Sequence, residues 1–169
     1  AFNFSHQRVS LLVMGKGTVG RELLQQIESQ HELLRRAHDI DVRLVGLADS
    51  QRLLFDSEGI DPAAWSERLD STPASEEASA EGPVTADVLE QLRRTSVPIL
   101  VDVTAAGGME RLYLEAFRRG IHVVAANKKP LTISMPDRDA LLQAARSAFR
   151  AYEYETTVGA SLPLTETLK

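Results

Sequence analysis

The feature that most constrains this chain is Gly15-Lys16-Gly17-Thr18-Val19-Gly20, a G-x-G-x-x-G set between an apolar run at residues 9–14 and a helical pattern. The apolar run reads as a buried strand. Leu23, Leu24, Ile27, Leu33 and Leu34 mark the segment after the glycines as a helix of about five turns. In that setting each glycine has its own task. Gly15 makes the tight turn, Gly17 lets the backbone approach a pyrophosphate, and Gly20 lets the helix pack closely on the strand. Free N–H groups at the helix start then bind the anion. The alternative, a plain glycine turn, gives no reason for three glycines at this spacing.

The rest of the chain repeats the alternation. Residues 42–48, 97–103, 121–125 and 151–156 read as further strands. Thr85 caps a helix running to Arg94, Gly107-Gly108 opens one carrying Leu112, Leu114, Ala116 and Phe117, and Gly120 stops it. Residues 137–150 read as a helix with Leu141, Leu142, Ala145 and Phe149 on its apolar side. Residues 71–83, STPASEEASAEGP, are too polar to bury much surface and read as a solvated surface loop with no chemistry. Strand and helix in alternation imply parallel strands joined by right-handed crossovers. The expected fold is α/β, a doubly wound and mostly parallel sheet of the Rossmann dinucleotide-binding type, in one domain over residues 1–169.

Composition removes other classes. With no cysteine in 169 residues, disulfides, thiolate zinc sites, iron–sulfur clusters and cysteine nucleophiles are excluded. A formal charge of −5 gives no electrostatic footprint for nucleic acid. No apolar run is long enough to span a bilayer, and the first residues carry no secretory pattern. The expectation is a cytoplasmic protein with neither a nucleic-acid nor a membrane partner. His31-Glu32-Leu33-Leu34-Arg35 lacks the second histidine of a zinc helix, and neither a P-loop nor a G-x-S-x-G elbow occurs. Trp65 reads as packing.

Four further positions lie at the carboxyl ends of strands, where ligands of open α/β sheets bind. Asp49 ends the second strand, where an acid accepts hydrogen bonds from the adenosine ribose. It stands 29 residues past Gly20 rather than about 20, and the long first helix absorbs the difference. Its carboxylate favours NAD by repelling a 2′-phosphate, whereas Arg52 could pair with that phosphate. A turn-forming Asp-Ser pair is the plain alternative. Thr104 and Ala105, leaving the third strand, are small enough for a flat ring to lie near the backbone; an ordinary turn explains them equally. Lys128 and Lys129 follow the fourth strand and read either as solvated surface or as a crevice lysine. Glu155, before a bent backbone, offers an oxygen to a cation, though strand plus turn explains it too.

Taken together, GKGTVG, GLADS, DVTAAGG, HVVAANKKPLT and YEYETTVGASLPLTETLK resemble homoserine dehydrogenase in order and separation. The opening FNFSH resembles the junction after the kinase half of bifunctional aspartokinase–homoserine dehydrogenases. The resemblance implies interconversion of L-homoserine and L-aspartate 4-semialdehyde with NAD or NADP, in threonine, methionine and isoleucine biosynthesis. It implies that Lys16, Gly17, Thr18 and Val19 line the cofactor, within the cofactor-binding turn that Gly15 and Gly20 complete, and that Thr104 and Ala105 lie near the nicotinamide side. It selects Lys128 as the lysine touching cofactor and substrate, and strand alternation argues that Lys129 points elsewhere. It also implies a monovalent-cation site from Glu155 and the carbonyls of Val158, Ala160 and Leu162. Two positions depart from the family pattern. Ser161 stands where a glycine is common, and Asp49 replaces the neutral residue of NADP-using relatives.

The family's substrate domain is expected beyond these residues, so the chain is expected to bind dinucleotide without turning over a small amino-acid substrate. The full enzyme is expected to be a homo-oligomer. Two other readings remain: a non-catalytic NAD(P)-sensing module, which has no need of a crevice lysine, and another amino-acid or semialdehyde dehydrogenase. The missing cysteine nucleophile disfavours the phosphorylating members of that last class.

Overall fold

The computed structural model describes residues 6–61, 63–75 and 82–154. Strand β1 (Gln7–Met14) passes through the glycine turn into α1 (Thr18–His38), whose 21 residues are the longest element. Arg35, Arg36 and His38 occupy the last turn of α1, where cations suit the negative end of the helix dipole. Asp39 then adopts left-handed backbone and returns its N–H to the Leu34 carbonyl, which ends the helix. Strand β2 (Ile40–Ala48) pairs parallel with β1, and β3 (Leu53–Phe55) folds back antiparallel against β2. Helix α2 (Trp65–Ser71) follows, then α3 (Ala86–Arg93), whose N-cap Thr85 accepts the Val88 N–H.

Strand β4 (Pro98–Asp102) pairs parallel with the other edge of β1. Helix α4 (Glu110–Arg118) closes through Gly120, at φ +76°, into β5 (His122–Ala125). A short 3-10 turn (Lys129–Leu131) precedes α5 (Met135–Ser147), capped by Ser134, and β6 (Tyr152–Glu153) is the last strand described. The sheet order is β3-β2-β1-β4-β5-β6, parallel except for β3. The chain therefore runs outward from β1 on one side and restarts at β4 on the other. Such a reversal opens a crevice at the carboxyl ends of the two central strands.

Alternation of side chains along the strands builds two cores. Leu11 and Val13 of β1 face Leu24 of α1 and Leu69 of α2. Leu12 and Met14 face a larger core with Leu89 and Leu92 of α3, Tyr113 and Phe117 of α4, and Leu141 of α5. The β1–β2 register slips between Leu11 and Leu12, so Leu44 and Leu47 share one face while Val45 and Ala48 share the other. Glycine is needed at the slip, because a Cβ on Gly46 would lie 2.6 Å from Leu12 Cγ. Among the described residues no helix is long and apolar enough to cross a membrane.

The mostly parallel α/β sheet matches expectation, with five particulars corrected. Strand β3 adds an antiparallel edge, and α2 adds a helix begun by the half-buried Trp65, which packs on the smaller core. Leu33 is 56% exposed, outside the buried stripe of α1. Helix α5 starts at Met135 and ends at Ser147, leaving Phe149 beyond it at φ +53° and 88% exposed instead of on an apolar face. On α4 the buried stripe is Leu112, Tyr113, Ala116 and Phe117, with Leu114 at its margin.

Candidate functional site

At the carboxyl ends of β1, β2 and β4 lies a crevice of about 690 Å³, lined by Gly15, Lys16, Gly17, Asp49, Thr104 and Ala105 among others. Size alone does not single it out. A cleft of about 680 Å³ beside Arg8, Ser10 and Arg94 opens at the opposite end of the sheet. The distinction is the glycine turn and the helix end above it. Gly15, at φ +108°, needs glycine for its backbone, and its N–H bonds the Ala48 carbonyl at 2.8 Å. A Cβ on Gly20 would run into the Gly15 carbonyl and come within 3.3 Å of Val103 Cγ2. Gly17 is different. Its φ of −70° suits any residue, and a Cβ there would meet nothing within 4 Å. Neither strain nor packing explains this glycine, whereas close approach of a ligand does. No side chain caps α1 and its first turn holds no acid, so the N–H groups of Thr18, Val19 and Gly20 are left for an anion to bond.

Beside them, Asp49 plays two parts. Its Oδ1 accepts the N–H groups of Gln51 at 2.8 Å and Arg52 at 2.7 Å, which shapes the β2–β3 turn. Its Oδ2 lies 3.0 Å from Lys16 Nζ and 3.5 Å from Arg52 Nη1. Burial pushes this carboxyl up, but the Gln51 N–H, the Lys16 ammonium and the Arg52 N–H together hold it below the ordinary carboxylate range. Lys16 also reaches Asp70 Oδ1 on α2 at 2.9 Å, and the two acids raise its pKa above the ordinary lysine value. Arg52 thus stands behind Asp49 rather than on the crevice wall. Gly82 and Pro83 do line that wall, so the far end of the polar 71–83 loop reaches the site, contrary to its reading as bare solvated surface.

The β4 side is built around three residues that sequence reasoning did not assign. Asp102, Tyr113 and Asn127 are all at most 2% exposed. Asp102 Oδ1 accepts the Thr104 N–H at 2.8 Å, while its Oδ2 accepts the Tyr113 hydroxyl at 2.5 Å and Asn127 Nδ2 at 3.0 Å. Burial, then the Asp102 charge, pushes the Tyr113 phenol far up, so it stays a donor at any working pH. The helical period of Met109, Leu112, Tyr113, Ala116 and Phe117 could have shown Tyr113 as inward-facing. An amide directly after a buried strand was the available signal for Asn127.

Lys128 does not line the crevice. It is exposed, with φ −80° and ψ −23°, at the head of the 3-10 turn. Strand alternation ends at Ala125 and does not set the direction of either lysine. Glu155, Val158, Ala160 and Leu162 lie outside the described residues.

Comparison with known proteins agrees with this geometry. A family model described as "Homoserine dehydrogenase, NAD binding domain" matches residues 15–155. The chain is 34% identical over 164 residues to the bifunctional aspartokinase/homoserine dehydrogenase of Haemophilus influenzae, covering 95% of this chain and 19% of that protein. It is 33% identical to a chloroplastic bifunctional enzyme of Arabidopsis thaliana, covering 99% of this chain and 18% of the relative. Among solved structures, the homoserine dehydrogenase of Thermoplasma acidophilum matches with a TM-score of 0.70 and 26% identity, over 95% of this chain and 47% of that one. A hyperthermophilic archaeal homoserine dehydrogenase in complex with NADPH shares the fold, with a TM-score of 0.72 at 22% identity, over 96% of this chain and 48% of that one.

Gly20 serves packing and Gly17 open space, so substitutions at the two should act differently. Gly17→Ser should keep its thermal midpoint, since serine is a good N-cap, yet lose at least about tenfold in dinucleotide affinity by filling the open space. Gly20→Ala should lose about 1–3 kcal/mol of stability from overpacking. Thermal melting and calorimetric titration of both variants check this; unchanged affinity in Gly17→Ser contradicts it.

Proposed function

This chain belongs to the family of homoserine dehydrogenase NAD-binding domains, and on that premise we propose that it is the cofactor-holding part of an enzyme interconverting L-homoserine and L-aspartate 4-semialdehyde. The single observation that carries the reading is Gly17, a glycine with ordinary backbone and empty space where a side chain would be, beneath an uncapped helix end. The N–H groups of Thr18, Val19 and Gly20 hold the pyrophosphate. Asp49 accepts the adenosine ribose hydroxyls, with Oδ2 as the oxygen free of backbone donors. Thr104 and Ala105 flank the nicotinamide, which supplies the hydride acceptor or donor when bound.

Substrate must be held against that ring, and positioning of this kind supplies much of the rate. The chain spans about a fifth of the bifunctional relatives' length, so the substrate-holding part is assigned to residues outside these 169. Lys128 is the residue we assign beside the transfer site. The Lys129 backbone is fixed by its N–H bond to Asn127 Oδ1 at 3.1 Å, and its Cδ lies 3.8 Å from where a Cβ on Gly107 would stand. No ion pair among the described residues holds either lysine, and it is the family motif that selects Lys128 as the one offering its ammonium to a substrate oxygen.

Two measurements test this. Asp49, kept ionised, should make the domain bind NADH more tightly than NADPH at low salt, where repulsion of the 2′-phosphate is least screened. Tighter NADPH binding in a fluorescence titration would instead assign Lys16 and Arg52 to that phosphate. In the complete enzyme, Lys128→Ala should lower kcat/KM for homoserine oxidation by about 10²-fold, the range of a positioned acid–base group, and Lys129→Ala should leave it nearly unchanged. Equal losses would remove Lys128 from the catalytic residues.

A further inference from the structure

We propose that Asp102, Tyr113 and Asn127 form one buried positioning device that sets the nicotinamide wall of the crevice and the lysine turn in fixed register. The inference rests on the dinucleotide reading above and adds residues that touch neither ligand nor substrate.

A fully buried carboxylate is expensive, and among the described residues no cation pairs with Asp102. What offsets the cost is a set of three donors from three separate places: the Thr104 N–H just after β4, the Tyr113 hydroxyl on α4, and the Asn127 amide just after β5. Asn127 extends the set in both directions. Its Nδ2 also lies 2.9 Å from the Ala106 carbonyl and 3.4 Å from Thr104 Oγ1, while its Oδ1 accepts the Lys129 N–H. Thr104 Oγ1 in turn accepts the Ala106 N–H at 3.2 Å, which curls the loop.

The side-chain bonds that lead out of this cluster end on Thr104 and Ala106, which line the crevice, or on Lys129 in the turn that follows Lys128. The fold does not need it for cohesion. Backbone pairing already joins β4 to β1 and β5, and Leu112, Ala116 and Phe117 already bury α4. A buried polar group that adds little cohesion but fixes one loop geometry is best explained by what that loop must hold. The pyrophosphate and adenosine contacts sit on β1, α1 and β2, so the device acts on one half of the ligand only.

That asymmetry makes the test. Tyr113→Phe and Asn127→Ala are titrated with NADH and, separately, with ADP-ribose, which carries the adenosine and pyrophosphate but no nicotinamide. Tyr113→Phe keeps the ring and its edge contact with Tyr152 at 5.6 Å, so it retains the packing even where Asn127→Ala loses the fold. The expected result is NADH affinity down by about fivefold or more in Tyr113→Phe and about tenfold or more in Asn127→Ala, with ADP-ribose within about twofold of wild type. Equal losses for both ligands in Tyr113→Phe, or no loss for either, overturn the proposal. Wild-type protein that binds neither ligand overturns the dinucleotide reading itself, and the device with it.

Discussion

The contact on which the rest depends is the seating of α1 against the end of β1, made at van der Waals range because Gly20 has no side chain between the helix and the Gly15 carbonyl. That contact aims the helix axis at the crevice between β1 and β4. Partial positive charge at an uncapped helix end is strongest within the first turn, so a shift of the axis would move it off the crevice. Everything downstream uses this anchor. Strand β2 follows from the length of α1, and Asp49 then arrives at the same sheet edge as the glycine turn.

Charge around the crevice is nearly self-neutralised before any ligand arrives. Lys16 lies between Asp49 and Asp70, and Arg52 backs Asp49. A carboxylate surrounded in this way stays ionised and positioned, with one oxygen committed to the β2–β3 turn. The opposite wall uses no cation. There a buried Asp102 is hydrogen-bonded by neutral donors alone, which fixes the wall where a flat ring is assigned. The two walls differ in chemistry as the two halves of a dinucleotide differ.

Much of the architecture was legible because buried parallel strands are short apolar runs and helices carry apolar residues at helical period. That the glycine turn and Asp49 meet at one sheet edge was legible because glycines at this spacing and an acid ending a strand are tied to turn geometry. The exceptions have physical reasons. Strand β3 has only three residues, none fully buried, and α2 buries only Leu69, so neither produces a period. Phe149 looked like the end of an apolar stripe, but the helix stops at Ser147 and the ring is left in solvent. Asn127 was unassigned because a polar residue just after a strand reads as a turn, and Asp102 because nothing in the strand it ends shows which donors will meet it. Only the fold brings residues 25 apart in sequence to 3.0 Å.

The central claim, that the α1 end holds a pyrophosphate, is tested most directly by following backbone amide resonances of the isotope-labelled chain as NAD is added. The account predicts downfield shifts of the Thr18, Val19 and Gly20 amide protons as they bond phosphate oxygens, accompanied by changes at residues 104–106. Perturbations confined to the opposite cleft at Arg8 and Arg94, with the first turn of α1 unmoved, would contradict it.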